Sequence, residues 1–352
     1  MIESKSSSLH RVLTTLGHQE PDRVPLFLLL TLHGAKELGL SIRDYFARAD
    51  YVVEGQLRLR ARYQHDCLYP FFYAALEMEA WGGEVVFVED GPPSSGEPGI
   101  RRWEQIDGLT PPEVERTPGL RRALQAIAGL KAQVGEETPI IGVVMSPFSL
   151  PVMQLGFDRY IELLYEQPAR FERLMQVNEE FCVAWANAQM RAGATAICYF
   201  DPVSSPTIIP PECYRRTGFR VAQRTLARIQ GPTATHFASR HCLAIVADVA
   251  QTGTAAVGVS VEEDLAQLKA ACRGRLTLLG HLNGIAMRRW TLAEAETAVK
   301  TAIAQAGRGG GFILADNHGE IPWQVRDDVL QAIADAARRW GRYPLDWVDD
   351  AD

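Results

Sequence analysis

Short apolar runs alternate with longer amphipathic segments along most of the chain, and the alternation becomes regular from residue 138. Short continuous apolar runs are typical of buried parallel strands, whereas apolar residues spaced three and four apart are typical of helices with one buried face. The predicted strands of the regular part are residues 139–145, 196–200, 233–237, 255–259, 276–280 and 312–315. The predicted helices are residues 157–164, 168–192, 211–228, 242–251, a helix from 262, 292–306 and a last helix ending at 340.

The amino-terminal part adds two further apolar segments, residues 24–31 and residues 67–75. Together with the later strands they predict about eight parallel strands, for which closure into a barrel is favoured over an open sheet. Other elements are predicted outside the barrel: a helical lead-in at 1–20, a helix at 41–65, and a hairpin strand at 84–88 within an excursion spanning 76–118. We therefore expect an α/β fold, a TIM (β/α)8 barrel with N-terminal helical and hairpin additions, in a single domain of residues 1–352.

Composition narrows the class of protein. Of the 352 residues, 47% are hydrophobic and 22% charged, which is enough apolar material for a large core. The formal net charge of −7, with no basic patch evident in the sequence, argues against nucleic-acid binding. No segment has membrane-spanning length, and residues 1–8 do not resemble a signal peptide. The six cysteines lack a CxxC spacing, which favours reduced thiols and a cytoplasmic protein.

Among the junctions between predicted strands and helices, the one after the last strand has the residues most typical of an active site. Residues 309–311 are all glycine and lead into strand 312–315, and a helix is predicted to begin at residue 321. Four polar residues lie between strand and helix, and three of them follow the strand directly: Asp316, Asn317 and His318. Because the carboxyl ends of parallel strands meet on one face of a barrel, where catalytic groups are normally placed, we interpret these three as the floor of an active site.

Other polar or functional side chains also follow predicted strands. They are His33, Tyr73, Met145, Ser146, Asp201, His236, Ser260, His281 and Asn283. The alternative for each residue taken singly is that polar side chains end apolar strands simply because the chain reaches the surface there. Taken as a set, their clustering at one face favours a binding or catalytic function.

Three of these positions suggest specific chemistry. His318 can exchange a proton near neutral pH or bind a metal. Asp201 leaves an apolar strand, where a carboxylate is costly unless paired, so it predicts substrate or metal binding; the alternative is that it caps the turn at 204–206. Zinc would accept His236, His318 and Cys242, but His236 and Cys242 are widely spaced for a ligand pair on one loop. Zinc binding therefore stays open.

An ordered series of short motifs resembles a known superfamily over nearly the whole chain. The motifs are Pro21-Asp22-Arg23-Val24-Pro25, Gly142 with Ser146-Pro147-Phe148-Ser149-Leu150, Asp201-Pro202, Thr252-Gly253, Gly280 with Asn283, His318-Gly319 with Pro322, and Gly341-Arg342-Tyr343-Pro344. The series resembles the uroporphyrinogen decarboxylase superfamily. That resemblance implies a TIM barrel and one of two activities. One is cofactor-independent decarboxylation of uroporphyrinogen, and the other is methyl transfer between a corrinoid protein and coenzyme M or tetrahydrofolate.

The decarboxylase branch matches poorly at the positions that its chemistry needs. Its arginine-rich loop after the first strand corresponds to residues 28–34, which contain no arginine. Its catalytic aspartate falls on Tyr73 and its substrate-contacting tyrosine on Met153, whereas its late histidine matches His318. A substrate with eight carboxylates needs cationic partners, so these departures argue against true uroporphyrinogen decarboxylase.

The methyltransferase branch matches better, at residues 76–80 with Glu77, residues 82–85, residues 235–237 and residues 259–263. Its coenzyme M members bind zinc through a His-x-Cys pair and a later cysteine. Here His236 matches the histidine, but Ala238 replaces the first cysteine and His318 the second. The resemblance therefore makes tetrahydrofolate a more attractive acceptor than a thiol.

These observations together predict a corrinoid-linked methyltransferase whose methylcorrinoid is carried by a separate corrinoid protein docking over the carboxyl face. The predicted catalytic residues are His318, Asp201 and His236, and a metal site would use His236, His318 and Cys242. The predicted substrate-binding residues are His33, Tyr73, Glu77, Met145, Ser146, His281, Asn283, Asp316 and Asn317. The alternatives are a uroporphyrinogen decarboxylase and a non-catalytic barrel that binds a tetrapyrrole or corrinoid protein. The sequence leaves the oligomeric state open.

Overall fold

The computed structural model describes residues 6–348, and its centre is a six-stranded parallel sheet in sequential order. The strands are β3 (Ile141–Met145), β4 (Ala196–Phe200), β5 (Thr233–His236), β6 (Ala256–Gly258), β7 (Thr277–Leu282) and β8 (Phe312–Asp316). Each was predicted from its apolar run, to within two residues at either end. A continuous parallel order requires each connection to cross over with a helix, as the alternating pattern indicated.

Two extended segments join the ends of this sheet into a ring. Leu26 forms a parallel bridge with Leu314 of β8, and Leu68 forms one with Ile140 beside β3. The two segments meet where the Asp66 N–H donates to the Leu26 carbonyl at 2.7 Å. The ring therefore has eight parallel members, which confirms the predicted TIM-barrel class.

The segments at residues 24–31 and 67–75 were predicted as regular strands, and in this they were wrong. Both are buried and extended, but each makes a single bridge instead of a ladder. Pro25 and Pro70 lie within the segments, and proline has no N–H to donate to a neighbouring strand. Pairing is therefore limited to one or two residues in each segment.

Helices surround the ring. Within residues 6–348 they are α1 (Ser8–Leu16), α2 (His33–Leu38), α3 (Ile42–Ala47), α4 (Ala49–Tyr63), α5 (Leu76–Ala80), α6 (Glu104–Asp107), α7 (Pro118–Val134), α8 (Pro151–Leu155), α9 (Phe157–Glu166), α10 (Pro168–Ala192), α11 (Pro211–Arg216), α12 (Gly218–Leu226), α13 (Val246–Val249), α14 (Leu265–Cys272), α15 (Gly284–Met287), α16 (Leu292–Ala306) and α17 (Asp327–Trp340). Short 3₁₀ turns occupy Val114–Arg116, Pro202–Ser204 and Leu243–Ile245. No helix in this described part is long and apolar enough to cross a membrane.

Residues typical of helix ends allowed the first and last residues of two helices to be predicted correctly from the sequence. Helix α10 starts with a proline, whose missing N–H costs nothing in the first turn, and ends at Gly193 in the left-handed region. Helix α16 starts with a capping box between Thr291 and Glu294. Two predicted helices are instead divided, at Arg48 and at Thr217, where the backbone leaves helical geometry.

The excursion from the barrel contains the predicted hairpin. Strand β1 (Val85–Val86) pairs antiparallel with β2 (Ser94–Ser95). The first strand lies within the predicted segment 84–88, and residues 87–93 connect it to the second. Helices α5 and α6 lie on either side of it in the chain.

Alternate residues of the barrel members point inward and form a small interior core. Its buried residues are Val12, Phe27, Leu29, Cys67, Tyr69, Val143, Cys198, Leu279, Ile313 and Ala315. The remaining strand positions pack outward against the helices. Since strand residues alternate faces, the next inward layer toward the carboxyl ends includes Phe200 and His236. That layer forms the floor of the candidate site.

Candidate functional site

The loop after β8 is shaped by the carboxylate of Asp316. Its Oδ2 accepts the backbone N–H groups of His318 at 2.8 Å and Gly319 at 2.9 Å. Its Oδ1 is buried and has no hydrogen-bond partner among the described residues. Burial raises the pKa of Asp316 to about 6, although backbone N–H groups oppose the rise. Asp316 can therefore exchange a proton near neutral pH while one of its oxygens is still available.

His236 lies fully buried on the floor and is held in one tautomer. Its ring stacks on Phe200 with centroids 4.8 Å apart and planes inclined by 10°. Its Nδ1 accepts the Ala238 N–H at 3.0 Å, so the neutral ring carries its proton on Nε2. Within residues 6–348 that Nε2 has no partner. Burial, with a smaller contribution from His318, lowers the pKa of His236 to about 3.

Two glycines make room for the His236–Phe200 stack. A Cβ atom at Gly258 would collide with the His236 ring, and one at Gly319 would collide with the Phe200 ring. Gly319 also has φ 84°, a conformation that side chains other than glycine rarely adopt. The tertiary structure therefore explains the His318-Gly319 pair of the sequence motif.

His318 lies between this floor and solvent. It is half-buried, and its Nδ1 has no partner in the described structure. Burial lowers the pKa of His318, while the Glu262 carboxylate opposes the change. His318 lines a cavity of about 450 Å³ together with Ser239, Val261, Glu262, Asn283, Ile285, Ala286, Arg288, Arg289, Trp290, Glu294 and Asn317. A neutral imidazole thus faces a space large enough for a small ligand.

The cavity contains charged groups that the sequence did not predict there. Arg288 and Arg289 follow α15 and line it, although the loop at residues 28–34, where the decarboxylases have arginines, contains none. Glu262 and Glu294 line the same cavity and cancel the two positive charges. Glu294 is already engaged by Thr291 in the capping box. The lining is therefore formally neutral and cannot balance the charge of eight carboxylates.

A second carboxylate, Glu320, lies where a helix start was expected. The predicted helix at residue 321 begins only at Asp327, so Glu320 belongs to a loop. The Thr31 hydroxyl donates to its Oε1 at 2.5 Å. Burial raises the pKa of Glu320 to about 7, and the neighbouring charge of Asp316 contributes to the rise.

Tyr69 belongs to the interior core of the barrel and lies near the carboxylates of Asp316 and Glu320. It is 1% exposed, and its hydroxyl has no partner within residues 6–348. Burial raises its pKa well above the usual value, with Cys198, Asp316 and Glu320 contributing. Sequence reasoning missed Tyr69, Glu320 and Phe200. The alternation of residues 67, 69 and 71 along an apolar segment was the signal that could have placed Tyr69 inside.

Asp201 and Ser146 occupy a separate place between the loops that follow β3 and β4. Oδ1 of Asp201 accepts the hydroxyls of Ser146 at 2.6 Å and Ser149 at 2.8 Å. Asp201 is 1% exposed and does not line the cavity beside His318. Burial raises its pKa, opposed by these serine hydroxyls. The geometry is that of a loop anchor, closer to the turn-capping alternative than to the predicted substrate contact.

Glu77 and Met145 also lie away from that cavity. Glu77 is buried on α5, and its Oε1 accepts the Met145 N–H at 2.8 Å. Met145 ends β3 and packs with the helices outside the barrel. Burial raises the pKa of Glu77 to about 8. Glu77 therefore supports the end of a strand, and its predicted contact with substrate has no support here.

Two further residues predicted to bind substrate, His33 and Tyr73, lie away from the His318 cavity. His33 starts α2 instead of ending a strand, is fully buried, and lies 6.4 Å from the Trp323 ring. Tyr73 packs against Phe46 and donates to Glu79 at 3.3 Å. Neither lines the His318 cavity.

The last two predicted residues follow or lie in β7. Asn283 lines the cavity and caps α15 by accepting the Ala286 N–H at 3.0 Å. His281 lies in β7 itself, and its Nδ1 has no partner among residues 6–348. Burial lowers the pKa of His281 to about 4, so it is neutral at pH 7.

The predicted metal ligands His236, His318 and Cys242 are not assembled. No group of three or more His, Cys, Asp or Glu side chains in residues 6–348 is arranged to hold a metal ion. Cys242 is fully buried, and burial next to Glu263 raises its thiol pKa well above the usual value. Zinc needs a thiolate there, so these residues do not fit the group.

The family of the chain follows from comparison with known proteins. The family described as uroporphyrinogen decarboxylase (URO-D) matches residues 7–340, nearly the whole chain. The protein belongs to the URO-D family.

Relatives within the family include two kinds of enzyme. The chain is 27% identical over 236 residues to methylcobamide:CoM methyltransferase MtaA of Methanosarcina barkeri, covering 66% of this chain and 68% of that protein. It is 24% identical over 354 residues to uroporphyrinogen decarboxylase of Xylella fastidiosa, covering 94% of this chain and 98% of that protein. A solved structure of a methyltransferase from Methanosarcina mazei matches with a TM-score of 0.86 at 18% identity, covering 95% of this chain and 99% of that one. This last likeness shows the fold alone.

Glu77→Gln should stabilise the protein at neutral pH. The pKa of Glu77 is raised from its usual 4.5 to about 8 in the folded protein. Its contribution to the free energy of unfolding is therefore most favourable below pH 4.5, where the group is protonated in both states. This contribution is lost as the pH rises through 8. At pH 7 the unfolded chain ionises this group while the folded chain holds it protonated, which costs about 3 kcal/mol. Glutamine keeps the acceptor for the Met145 N–H without that cost.

Urea unfolding at pH 5, 7 and 8 measures this effect. The free energy of unfolding of Glu77→Gln should depend less on pH than that of the wild type. Glu54→Gln, at an exposed glutamate paired with Arg58 on α4, is the matched control and should leave the pH dependence unchanged. Parallel stability curves for wild type and Glu77→Gln would contradict the role given to Glu77.

Proposed function

We propose that this URO-D family protein is a methyltransferase that moves a methyl group between a methylcorrinoid protein and an acceptor. The observation that carries the proposal is the formally neutral cavity beside His318, whose lining includes two arginines and two glutamates. Uroporphyrinogen carries eight carboxylates and would need a strongly cationic lining. A small acceptor with polar ring atoms matches the lining better.

The choice of acceptor depends on the chemistry of the donor atoms. A thiol acceptor such as coenzyme M would be activated as a thiolate, usually by zinc. Ala238 stands where a cysteine ligand would be needed, and the buried Cys242 thiol is held protonated. We therefore favour tetrahydrofolate, whose reacting nitrogen needs no thiolate-binding metal, and keep a coenzyme M-like thiol as the second acceptor.

Residues of this chain have separate roles in the proposed reaction. Asn317 and His318, which line the cavity, orient the acceptor. The neutral His236 does not line the cavity itself, and we assign it a supporting role in the buried floor, where its Nε2 carries the proton. When the acceptor nitrogen forms its bond to the methyl carbon, the cobalt–carbon bond of the methylcorrinoid substrate breaks, its electron pair stays with the corrinoid, and the nitrogen must lose a proton. His318 takes up that proton, and the Glu262 carboxylate, which favours the protonated form of His318, stabilises the resulting charge. Asp316 holds the His318 backbone in place through its Oδ2.

Asp201 has a different role in this scheme from the one the sequence suggested. Because Ser146 and Ser149 already donate to its Oδ1, it positions the loops beside the site and does not contact the acceptor. The methylcorrinoid is a substrate delivered by a separate protein that docks over the carboxyl face. The six cysteines are buried and free, which supports a cytoplasmic setting for this activity.

Two assays on the same purified protein test the proposal. Methylcobalamin as donor with tetrahydrofolate as acceptor should give methyltetrahydrofolate, and a coenzyme M arm distinguishes the two acceptors. Uroporphyrinogen is tested in parallel for release of carbon dioxide. Release of carbon dioxide without methyl transfer would favour the decarboxylase. Tight binding of the corrinoid without turnover, with every acceptor, would favour the non-catalytic barrel.

A further inference from the structure

A second cleft lies at the amino-terminal end of the barrel, opposite the candidate site. It has a volume of about 1340 Å³ and is walled by α1, by the segment before the first barrel member, by the end of α4 and by the end of α17. Five arginines line it: Arg11, Arg23, Arg60, Arg338 and Arg342. The sequence, with its net charge of −7, did not indicate this local group of arginines, because they come from four separate segments of the chain.

Two of these arginines are balanced by buried or half-buried carboxylates. Arg11 pairs with Asp22 at 2.6 Å and with Asp66 at 2.7 Å, and Arg23 pairs with Asp66 at 2.6 Å. Both aspartates line the same cleft. Their charges cancel those of Arg11 and Arg23, so this half of the cleft is a closed ion-pair network that holds the barrel together.

The other half of the cleft has a surplus of positive charge. Arg338 pairs with Asp335 at 2.5 Å, but Arg60 and Arg342 have no carboxylate partner within residues 6–348. The Nε of Arg60 is buried and has no hydrogen-bond acceptor in the described structure. A buried guanidinium donor without an acceptor is costly, so its position is explained best by a ligand that accepts from it.

His65 adds a neutral donor to the same wall. It is 1% exposed and lines the cleft, and its Nε2 has no partner among the described residues. Burial lowers its pKa to about 4, so it is uncharged at pH 7. Its other ring nitrogen lies 3.9 Å from the Cys67 sulfur. With Nε2 protonated, His65 can donate a hydrogen bond without adding charge.

From these contacts we infer that the cleft binds a small molecule through a phosphate group held by Arg60, Arg342 and His65. The two unbalanced arginines match the charge of a phosphate monoester, which is about −1.5 to −2 at pH 7. Planar guanidinium groups donate pairs of hydrogen bonds that fit phosphate oxygens. The cleft is much larger than a phosphate, which leaves room for the rest of the molecule. The site lies at the opposite end of the barrel from His318, so it does not depend on the proposed methyl transfer.

Calorimetric titration of the whole protein with inorganic phosphate and pyrophosphate tests this site. We expect saturable binding that weakens about tenfold or more in Arg60→Gln and in Arg342→Gln, because each removes a charge-assisted hydrogen bond. Matched controls are Arg58→Gln on α4 and Arg339→Gln on α17, which remove the same charge from arginines already paired with Glu54 and Glu296. The controls should bind like the wild type.

Arg342 is exposed, so its replacement should not impair folding, and urea unfolding of each variant checks this. Titration with citrate separates a phosphate site from a general carboxylate site. Binding of citrate without binding of phosphate or pyrophosphate would overturn the inference. So would equal losses of affinity in the control variants, since that would indicate long-range attraction without a defined site.

Discussion

His318→Ala should lower kcat/KM for methyl transfer by about 10²- to 10⁴-fold, the range typical for loss of a general acid or base. His318 lines the cavity, and its Nδ1 lacks a partner in residues 6–348, so no protein contact made by that atom is lost in the variant. The rate should therefore fall while the free energy of unfolding stays nearly unchanged. Initial rates with methylcobalamin and tetrahydrofolate measure the first quantity, and urea unfolding measures the second.

His10→Ala is the matched control for this prediction. His10 is exposed on α1, at the opposite end of the barrel, and its replacement should leave the rate unchanged. A pH profile adds a readout specific to proton transfer. In the wild type the rate should fall as the pH drops through the pKa of His318, which burial places below its usual value, and this limb should disappear in His318→Ala. Unchanged activity in His318→Ala would remove His318 from the site.

Asp66→Ala should lower the free energy of unfolding by about 3–5 kcal/mol, the cost of removing one partner from a buried ion pair. The Asp66 side chain is 1% exposed and accepts from Arg11, Arg23, the Ser8 hydroxyl and the Leu26 N–H. Its loss leaves the largely buried Arg23 guanidinium without its carboxylate partner and removes one of the two carboxylate partners of Arg11. The Leu26 contact also joins the two extended segments that complete the ring.

Asp50→Ala provides the comparison for the stability measurement. Asp50 pairs with Arg48 at the surface, where each side chain is 60% exposed. An exposed pair of this kind contributes little to stability because solvent screens it, so urea unfolding should barely change. If the Asp66 and Asp50 variants unfolded at similar urea concentrations, the network around Asp66 would not be central to the stability of the barrel.

Elements with strong local signals could be predicted from the sequence closely. Strand β4 and helices α10 and α16 have the predicted bounds, because an apolar run, a first-turn proline and a capping box are all local features. Residues 24–31 were less predictable. Their apolar content indicated burial correctly, but hydrogen bonding there depends on which neighbours reach a proline-containing segment.

The candidate site was predicted in part. Asp316 is the last residue of β8, Asn317 and His318 follow it, and Asn283 lines the same cavity as His318. Asp201 was predicted to be catalytic and Glu77 to bind substrate. Oδ1 of Asp201 accepts from serine hydroxyls, however, and Oε1 of Glu77 accepts from the end of a strand. A buried carboxylate can contact a ligand only if its oxygens do not already accept hydrogen bonds from the protein. Those donors come from segments far away in the sequence, so no local sequence pattern predicts them.

The sequence by itself determined the alternation of strands and helices, and hence the barrel and the edge at which polar side chains collect. Only the tertiary structure decided which of those side chains meet. Ring closure brings Arg23 beside Arg342 and places Thr31 against Glu320, although each pair is separated by nearly the whole chain. Local periodicity fixes which face of an element is buried, whereas charge balance and hydrogen-bond satisfaction depend on contacts between segments far apart in sequence.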